Sequence, residues 1–373
     1  SATTSTTTTA ASGGLSEDDR AAAAQAAAAY LGAWAAFDWD LAKQFVLGSP
    51  PGCAAAHQAW VDGRGAEAVD FSGGDVGPAD EGAGALVQFT VAVEVGGAGV
   101  WEYQSEAPVT RSGPRWLVDW TQRVLHPTLE EGDTFRVQRT WSPRGALLAV
   151  DGRPLASEQP VKEIGVVPGR VDDLDALLLT LQALAGIDPG AALEEIERPG
   201  VQPDWFVPVG TLPIAGYTPV AEDLAALPGV MGRDTTARLT LASPFADHLL
   251  GTTGPITAEL LSALGDPYTA SDIVGRSGME RALESRLAGI PYQEVQQVNE
   301  YGRVLAVLAT FDARAPEDVT TTLDIEVQQA VEAVIAGAPE PAAVVVIDVA
   351  TGGIRAAASR PLDGFDRALG GLY

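Results

Sequence analysis

The sequence predicts an α+β protein with two or three domains. Its 373 residues suffice for that number at roughly 100–200 residues per domain. Large apolar side chains recur at helical spacing within residues 15–60, and a strict two-residue alternation begins at Leu86. Helices followed by a curved antiparallel sheet would form a cone, and mixed helical and strand patterns continue after it.

Composition excludes several classes of function. The chain has 23 basic and 50 acidic residues, so its net charge of −27 leaves no basic footprint for nucleic acid. Its single cysteine, Cys53, rules out an internal disulfide and a cysteine-based metal cluster. No run of 18 or more apolar residues occurs, so no segment of this sequence is predicted to span a bilayer.

Residues 1–14 are predicted to be a disordered tether. They include nine Ser or Thr residues and no charge, and such a segment cannot bury enough apolar surface to order itself. An arbitrary chain boundary is the equally weighted alternative. A tether would fit a signal or membrane anchor upstream of this sequence.

Residues 15–60 are predicted to be helical. Ser16 would cap the first helix, with acidic residues in its first turn. One amphipathic face is predicted from the spacing of Tyr30, Trp34, Phe37, Leu41 and Phe45.

Three strands are predicted next, over Leu86–Val95, Trp101–Glu106 and Arg115–Trp120, because apolar and polar residues alternate in each. Four aromatic residues on these strands are candidates to line a cavity in the cone: Trp101, Tyr103, Trp116 and Trp120. The alternative is that they simply fill the core.

The middle of the chain predicts mixed structure. Strands are expected over Arg136–Trp141 and Ala146–Val150, and helices over Val171–Ala185 and Thr257–Leu264. The segment Ser277-Gly-Met-Glu280 matches a capping box, in which Ser277 and Glu280 would bond each other's backbone amides.

The last segment changes character. A strand over Asp318–Leu323 is followed by a helix that Asp324 would cap, and a buried strand is expected over Ala343–Val349. Thr351-Gly352-Gly353 forms the predicted tight turn, with Ile354–Ala358 as the hairpin partner. Three strands are marginal alone, which suggests a truncated domain.

These segments, in this order, resemble the non-catalytic half of a class B penicillin-binding protein of the methicillin-resistance type. The motifs that carry the resemblance are Trp120 with His126-Pro-Thr-Leu-Glu-Glu-Gly-Asp133, Arg144-Gly145 through Leu155-Ala156, Gly275-Arg-Ser-Gly278-Met-Glu280 through Gly289, Thr321-Thr-Leu-Asp324 with Gln328, and Ala343–Asp348 with Thr351-Gly352 and Ser359-Arg-Pro361. The sequence departs from the family at Ala149-Val150, where relatives carry Asp-Arg.

The resemblance implies four segments. Residues 15–128 would form an NTF2-like N-terminal domain, 129–315 a pedestal or dimerisation domain, and 316–373 the start of a transpeptidase domain, after the tether of residues 1–14. The motif residues are expected to be structural rather than catalytic: Arg144, Gly145, Gly275, Glu280, Gly289, Thr351 and Gly352.

No catalytic residue is predicted in this chain. The family's nucleophile lies in Ser-x-x-Lys, but the two lysines, Lys43 and Lys162, follow Asp40 and Gln159 by three residues. Ser-x-Asn also fails, because Asn299 is the only asparagine and Gln297 precedes it by two. Neither lysine is followed by Thr, so Lys-Thr-Gly is missing as well. The resemblance places Phe365-Asp-Arg-Ala368 and Tyr373 where the family leads into its catalytic serine, so the missing serine would lie beyond Tyr373.

Other candidate sites are weaker. Cys53 and His57 share a helix face, yet no third metal ligand is apparent, so a buried thiol beside a surface histidine is the better interpretation. Asp247-His248 supports no catalytic triad without a partner serine in place. No metal and no cofactor are therefore expected.

The resemblance implies an extracytoplasmic role. The chain would position a D,D-transpeptidase domain that cross-links peptidoglycan, anchored to the membrane through a segment absent from this sequence. Peptidoglycan or its precursors, cell-wall synthesis proteins and a second copy of the chain are the partners implied, with no nucleic acid. The alternative is a stand-alone envelope binding or scaffold protein that uses the NTF2-like cavity.

Overall fold

The computed structural model describes residues 15–63, 68–79, 84–241, 245–361 and 368. They form two compact units, each discontinuous in sequence. The first unit comprises the described residues up to Ser142, with Ala258–Thr269 and Ile290–Ala315; the second comprises Pro143–Thr257, Ala270–Gly289 and the described residues from Pro316 onward. In the described ranges, no helix is long and apolar enough to cross a membrane.

The α-helices of the described chain are α1 (Glu17–Ala35), α2 (Trp39–Ala42), α3 (Cys53–Asp62), α4 (Leu174–Ala185), α5 (Pro189–Ile196), α6 (Ile214–Tyr217), α7 (Ala221–Ala226), α8 (Asp247–Leu250), α9 (Ala258–Leu264), α10 (Gly278–Ala282), α11 (Glu284–Leu287) and α12 (Ile325–Ala336).

The strands are β1 (Val69–Pro78), β2 (Gly84–Val95), β3 (Gly99–Ser112), β4 (Arg115–Val118), β5 (Thr134–Thr140), β6 (Leu147–Leu148), β7 (Pro154–Val166), β8 (Val207–Pro213), β9 (Val230–Thr240), β10 (Thr253–Pro255), β11 (Ile273–Gly275), β12 (Tyr292–Val298), β13 (Val304–Phe311), β14 (Val319–Thr320), β15 (Ala342–Ile347) and β16 (Ile354–Arg360).

Helix α1 begins as predicted. The Ser16 hydroxyl oxygen accepts a hydrogen bond from the Asp19 backbone N–H at 3.1 Å, which satisfies one of the free amides of the first turn. The predicted continuous face over residues 30–45 is wrong, because α1 ends at Ala35 and Phe37 adopts a positive φ of 54°. Tyr30 and Trp34 are fully buried, whereas Leu41 lies exposed beyond the break.

Strands β1 to β4 form an antiparallel sheet in sequence order. The alternation predicted for β2 is confirmed, since its inward side chains, Val87, Phe89, Val91, Val93 and Val95, are all buried. Against this face pack the α1 aromatics and Trp60 of α3, which form the main core of the unit. Strand β1, which no pattern in the sequence predicted, pairs with β2 through an irregularity between Gly73 and Asp75.

A second sheet of the first unit has the order β13-β12-β5. Strand β13 is an edge strand, and its antiparallel register with β12 shifts twice, between Val295 and Gln296 and between Gln297 and Val298. Val295 joins the same core as the α1 aromatics. The first unit thus continues past residue 128 as far as Ser142, and its last segment ends at Ala315.

The second unit is built on a five-stranded sheet with the order β14-β6-β7-β8, in which β9 also pairs with β7. Helix α4 is capped by Asp173 and buries Leu177, Leu178 and Leu181 in a core with β7, β8 and β9. The leucine-rich helix was predicted over Val171–Ala185, within three residues of its observed start.

The last described segment matches the predicted order of elements. Asp324 caps α12 by accepting from the Val327 N–H at 3.1 Å, and β15 and β16 form an antiparallel hairpin. Strand β15 is not buried as expected, since Val345 is 40% exposed and Ile347 56% exposed. The residues proposed to lead into the catalytic serine, Phe365–Arg367 and Tyr373, lie outside the described residues.

Candidate functional site

Two arginines and two glutamates form a buried cluster in the second unit. Arg144 donates from Nε to Glu280 Oε2 at 2.8 Å and from Nη2 to Glu284 Oε2 at 2.7 Å. Arg238, on β9, donates from Nε to the other Glu280 oxygen at 2.6 Å. All four side chains are at most 10% exposed, so the ion pairs are shielded from solvent.

The cluster also binds main-chain groups. Arg144 Nη2 donates to the Glu280 carbonyl oxygen, and Arg238 Nη1 donates to that of Gly145, each at 2.8 Å. Glu284 Oε2 accepts from the Gly275 N–H at 2.7 Å. The four side chains thereby connect β9, β11, α10, α11 and the segment that precedes β6.

The charges of the cluster balance, two positive against two negative. Burial opposes the charge on Arg144, but its hydrogen bonds and attraction to Glu284 and Glu280 outweigh that effect and raise its pKa. Both oxygens of the Glu280 carboxylate are engaged by arginines, which leaves it unsuited to act as a general base. The arrangement can hold elements together. Arg144 and Glu280 were singled out from the sequence as structural residues, whereas Arg238 and Glu284 were not.

Two of the predicted motif glycines sit where a side chain would not fit. A Cβ at Gly145 would lie 2.2 Å from the Glu317 carbonyl oxygen, and a Cβ at Gly275 would lie 2.1 Å from that of Glu280. Gly289, just after α11, has a φ of +71°, in the left-handed region that favours glycine. At Gly145 and Gly275 the backbone therefore approaches a neighbouring segment more closely than any side chain would allow.

The predicted capping box at Ser277 is wrong. Ser277 occupies the N-cap position of α10, but its hydroxyl accepts from the Thr252 N–H at 3.1 Å and makes no cap hydrogen bond. The Glu280 carboxylate is held by Arg144 and Arg238, so it does not fold back on the Ser277 amide. The charge-assisted hydrogen bonds that a buried carboxylate makes with two arginines are stronger than the single hydrogen bond it would make in a capping box.

Thr351 and Gly352 form the predicted turn of the β15–β16 hairpin. The Thr351 hydroxyl oxygen accepts from the Gly353 N–H at 3.2 Å, and Gly352 has a φ of +73°. Arg355 bonds Asp348 across the turn at 2.6 Å, which lowers the pKa of that carboxyl to about 2. These contacts make the turn a structural corner of the hairpin.

The four predicted cavity aromatics occupy different surroundings. Trp101 and Tyr103 lie side by side with ring centroids 4.5 Å apart, and Tyr103 Oη donates to the Leu125 carbonyl oxygen at 2.6 Å. Trp116 packs on a separate cluster that includes Val87. Trp120 lines a groove of about 450 Å³ together with, among others, Pro51, Ala56 and Leu129.

The histidine beside Cys53 is buried, not on the surface as predicted. His57 is 1% exposed, with Nδ1 2.7 Å from the Cys53 carbonyl oxygen and Nε2 2.7 Å from Tyr30 Oη. The carbonyl can only accept, so Nδ1 carries the proton and Nε2 accepts from the tyrosine hydroxyl. Burial lowers the pKa of His57 to about 4 and raises that of the Cys53 thiol to about 11, so neither is primed for catalysis at neutral pH.

His126 is a second buried histidine of the first unit. Its Nδ1 lies 2.8 Å from Thr128 Oγ1, and its ring packs among Trp101, Tyr103 and Phe135. Burial lowers its pKa to about 4. In the part of the chain that the structure describes, no three His, Cys, Asp or Glu residues gather as a metal site would require.

Comparisons with known proteins agree with this architecture. Residues 22–133 match the model of the NTF2-like N-terminal transpeptidase domain, and residues 139–321 match that of the penicillin-binding protein dimerisation domain. The chain belongs to the class B penicillin-binding proteins.

Its relatives are longer enzymes. The chain is 30% identical over 225 residues to the peptidoglycan D,D-transpeptidase MrdA of Escherichia coli K12. The aligned region covers 58% of this chain and 35% of that protein. The chain is 27% identical over 269 residues to the peptidoglycan D,D-transpeptidase FtsI of the same organism, covering 65% and 40% respectively. The chain thus spans well under half the length of these curated relatives.

A solved structure is also similar at a distance. The complex between penicillin-binding protein PBP2 and MreC from Helicobacter pylori matches 61% of this chain and 43% of that chain, with a TM-score of 0.39 and 20% identity.

Proposed function

We propose that this chain is the non-catalytic extracytoplasmic part of a penicillin-binding protein, which positions a D,D-transpeptidase domain for peptidoglycan cross-linking. The observation that carries the proposal is the buried cluster of Arg144, Arg238, Glu280 and Glu284. It ties several elements into one support, and each of its four charged groups is bonded to another member of the cluster or to the backbone, although Arg238 Nη2 has no partner of its own among the described residues.

The sequence favours a positioning role over a catalytic one. The family's serine must be activated by a lysine three residues on, and this sequence contains no such pair. Peptidoglycan, other cell-wall synthesis proteins and a second copy are partners of the proposed whole protein. An envelope location and a membrane anchor belong to the same proposal.

Covalent labelling with a fluorescent penicillin tests this role. We expect no labelling of the chain, under conditions where the MrdA protein of Escherichia coli K12, run in parallel, is labelled. Denatured chain serves as the control for non-specific attachment. A covalent adduct on the native chain alone would overturn the proposal, because acylation requires an activated nucleophile that the proposal denies it.

A second candidate function is envelope ligand binding by the first unit. The groove of about 450 Å³ beside Trp120 favours it, since that volume lies in the usual range of ligand sites. Titration with muropeptides would then change tryptophan fluorescence saturably, and Trp120→Phe would remove the change. A flat response in both proteins favours the positioning role alone.

A further inference from the structure

The side chain of Gln328 bonds the backbone of β16 in the way a neighbouring strand would. Its Nε2 donates to the Ala357 carbonyl oxygen at 3.0 Å, and its Oε1 accepts from the Ala357 N–H at 2.9 Å. Gln328 lies on α12 and is fully buried. A paired amide contact in a dry site fixes the position of Ala357 along its strand, because any slip leaves two buried polar groups unpaired.

Glu332 lies one helical turn after Gln328 and extends this contact. Its Oε1 accepts from Gln328 Nε2 at 2.8 Å and from the Ala246 N–H at 2.6 Å. Ala246 immediately precedes α8, is buried, and has a positive φ of 49°. A continuous chain of hydrogen bonds thus runs from Ala246 through Glu332 and Gln328 to Ala357, all within the second unit.

A small cavity lies beside this chain. Its volume is about 100 Å³, and its lining includes Ala246, Glu332, Ile335, Ala336, Ala357 and Ala358. Atoms that line this partly open pocket have fewer packing partners on that side than atoms in a filled core. The hydrogen bonds therefore carry a larger share of the connection between Ala246 and β16 than they would in a filled core.

We propose that Glu332 and Gln328 act as a relay that couples the segment before α8 to β16, so that displacement of Ala246 loosens β16. The relay deepens the proposed function, because β16 belongs to the region expected to start the transpeptidase domain and Ala246 to the support. A change at the support would reach that domain through two side chains of one helix. Its test reads local opening, so its failure is distinguishable from a failure of the penicillin test.

Hydrogen exchange followed by mass spectrometry on the full chain tests the relay. In Glu332→Ala we expect exchange to rise about tenfold to a hundredfold in peptides covering residues 245–250 and also in those covering 354–360, as loss of hydrogen bonds to a charged group implies. In Gln328→Ala the exchange rate should rise in peptides covering residues 354–360, while those covering 245–250 stay protected. Peptides from β2, in the other unit, serve as an internal reference for global unfolding.

Val334→Ala is the matched control, since Val334 lies on the same helix and is 76% exposed. It should leave both peptides as in the parent chain. Glu332→Gln keeps an acceptor oxygen and should restore most of the protection. If Glu332→Ala fails to fold, Glu332→Asp takes its place in the experiment, because its side chain is one methylene shorter and its carboxylate is drawn back from both partners. Loosening confined to residues 245–250, with β16 unchanged, overturns the relay.

Discussion

Glu280 accepts hydrogen bonds from both arginines of the buried cluster, so its removal leaves Arg238 without a carboxylate partner and Arg144 with Glu284 alone. We expect Glu280→Ala to lower the free energy of unfolding by about 3–5 kcal/mol, as found when one member of a buried ion pair is removed. Urea denaturation measures the loss. Glu317→Ala is the control, because its pair with Arg286 is exposed at 59% and 51% and should contribute about 1 kcal/mol or less. Equal losses in the two variants would contradict this view.

His57 and His126 make stability depend on pH. Both have a folded pKa of about 4 because they are buried, against an ordinary value of 6.5. The unfolded chain therefore binds more protons between these values, so stability is fully present above pH 6.5 and falls as the pH drops towards 4. The expected loss on reaching pH 4 is on the order of 3 kcal/mol for each histidine.

Urea unfolding at pH 7, 6, 5 and 4.5 measures this dependence. His57→Phe removes one titrating group, so the slope of stability against pH between 6.5 and 4 should become shallower even though the variant starts less stable. An unchanged slope would show that the pKa of His57 does not differ between the folded and the unfolded chain.

The residues of the cluster were only half predictable. Arg144 and Glu280 were singled out within recognisable motifs, Glu284 lies in the same Gly275–Gly289 stretch without having been singled out, and Arg238 lies in no motif. Their partners lie 42 to 140 residues away along the chain. Local periodicity describes the face of a helix or strand and holds no information on which distant charge will meet it. The capping box at Ser277 was predicted wrongly for the same reason.

At the scale of elements, Gly145 sets how closely two segments approach. A Cβ there would meet the Glu317 carbonyl oxygen at 2.2 Å, and backbone atoms cannot yield as a flexible side chain would. We expect Gly145→Ala to cost about 1–3 kcal/mol of stability, the range found for overpacking. Thermal or urea unfolding measures it.

The matched control is Gly337→Ala, since Gly337 follows α12 and no heavy atom lies within 4 Å of its built Cβ. It should change stability by no more than about 0.5 kcal/mol. A comparable loss in both variants would show that backbone freedom, rather than close approach, determines the cost at Gly145.

Some elements followed directly from local pattern. Strand β2 was predicted because Val and Phe alternate with polar residues without interruption, and the buried face follows that alternation. Strand β1 escaped notice because Ser72, Gly73, Gly74 and Asp75 break any alternation in its centre. Its place at the sheet edge is determined by pairing with β2, which only the folded chain provides.

For the whole molecule, the net charge of −27 is the dominant long-range term. Mutual repulsion of surface carboxylates destabilises the compact state, and salt screens it over about 10 Å at 0.1 M. We expect the thermal midpoint to rise by about 2–4 °C between 10 and 150 mM NaCl, which corresponds to ~1 kcal/mol for units of this size. A falling midpoint would show that attractive surface pairs outweigh the net repulsion.

Strand β13 has a consequence for the behaviour of the chain in solution. Its eight residues, Val304–Phe311, contain neither a charge nor a proline, and they form the edge of their sheet. Such an edge is a template for amyloid-like stacking of further chains. The two register shifts against β12 interrupt the even spacing of its backbone groups. An edge interrupted in this way offers an incoming strand a poorer template for stacking than a flat, regular ladder would.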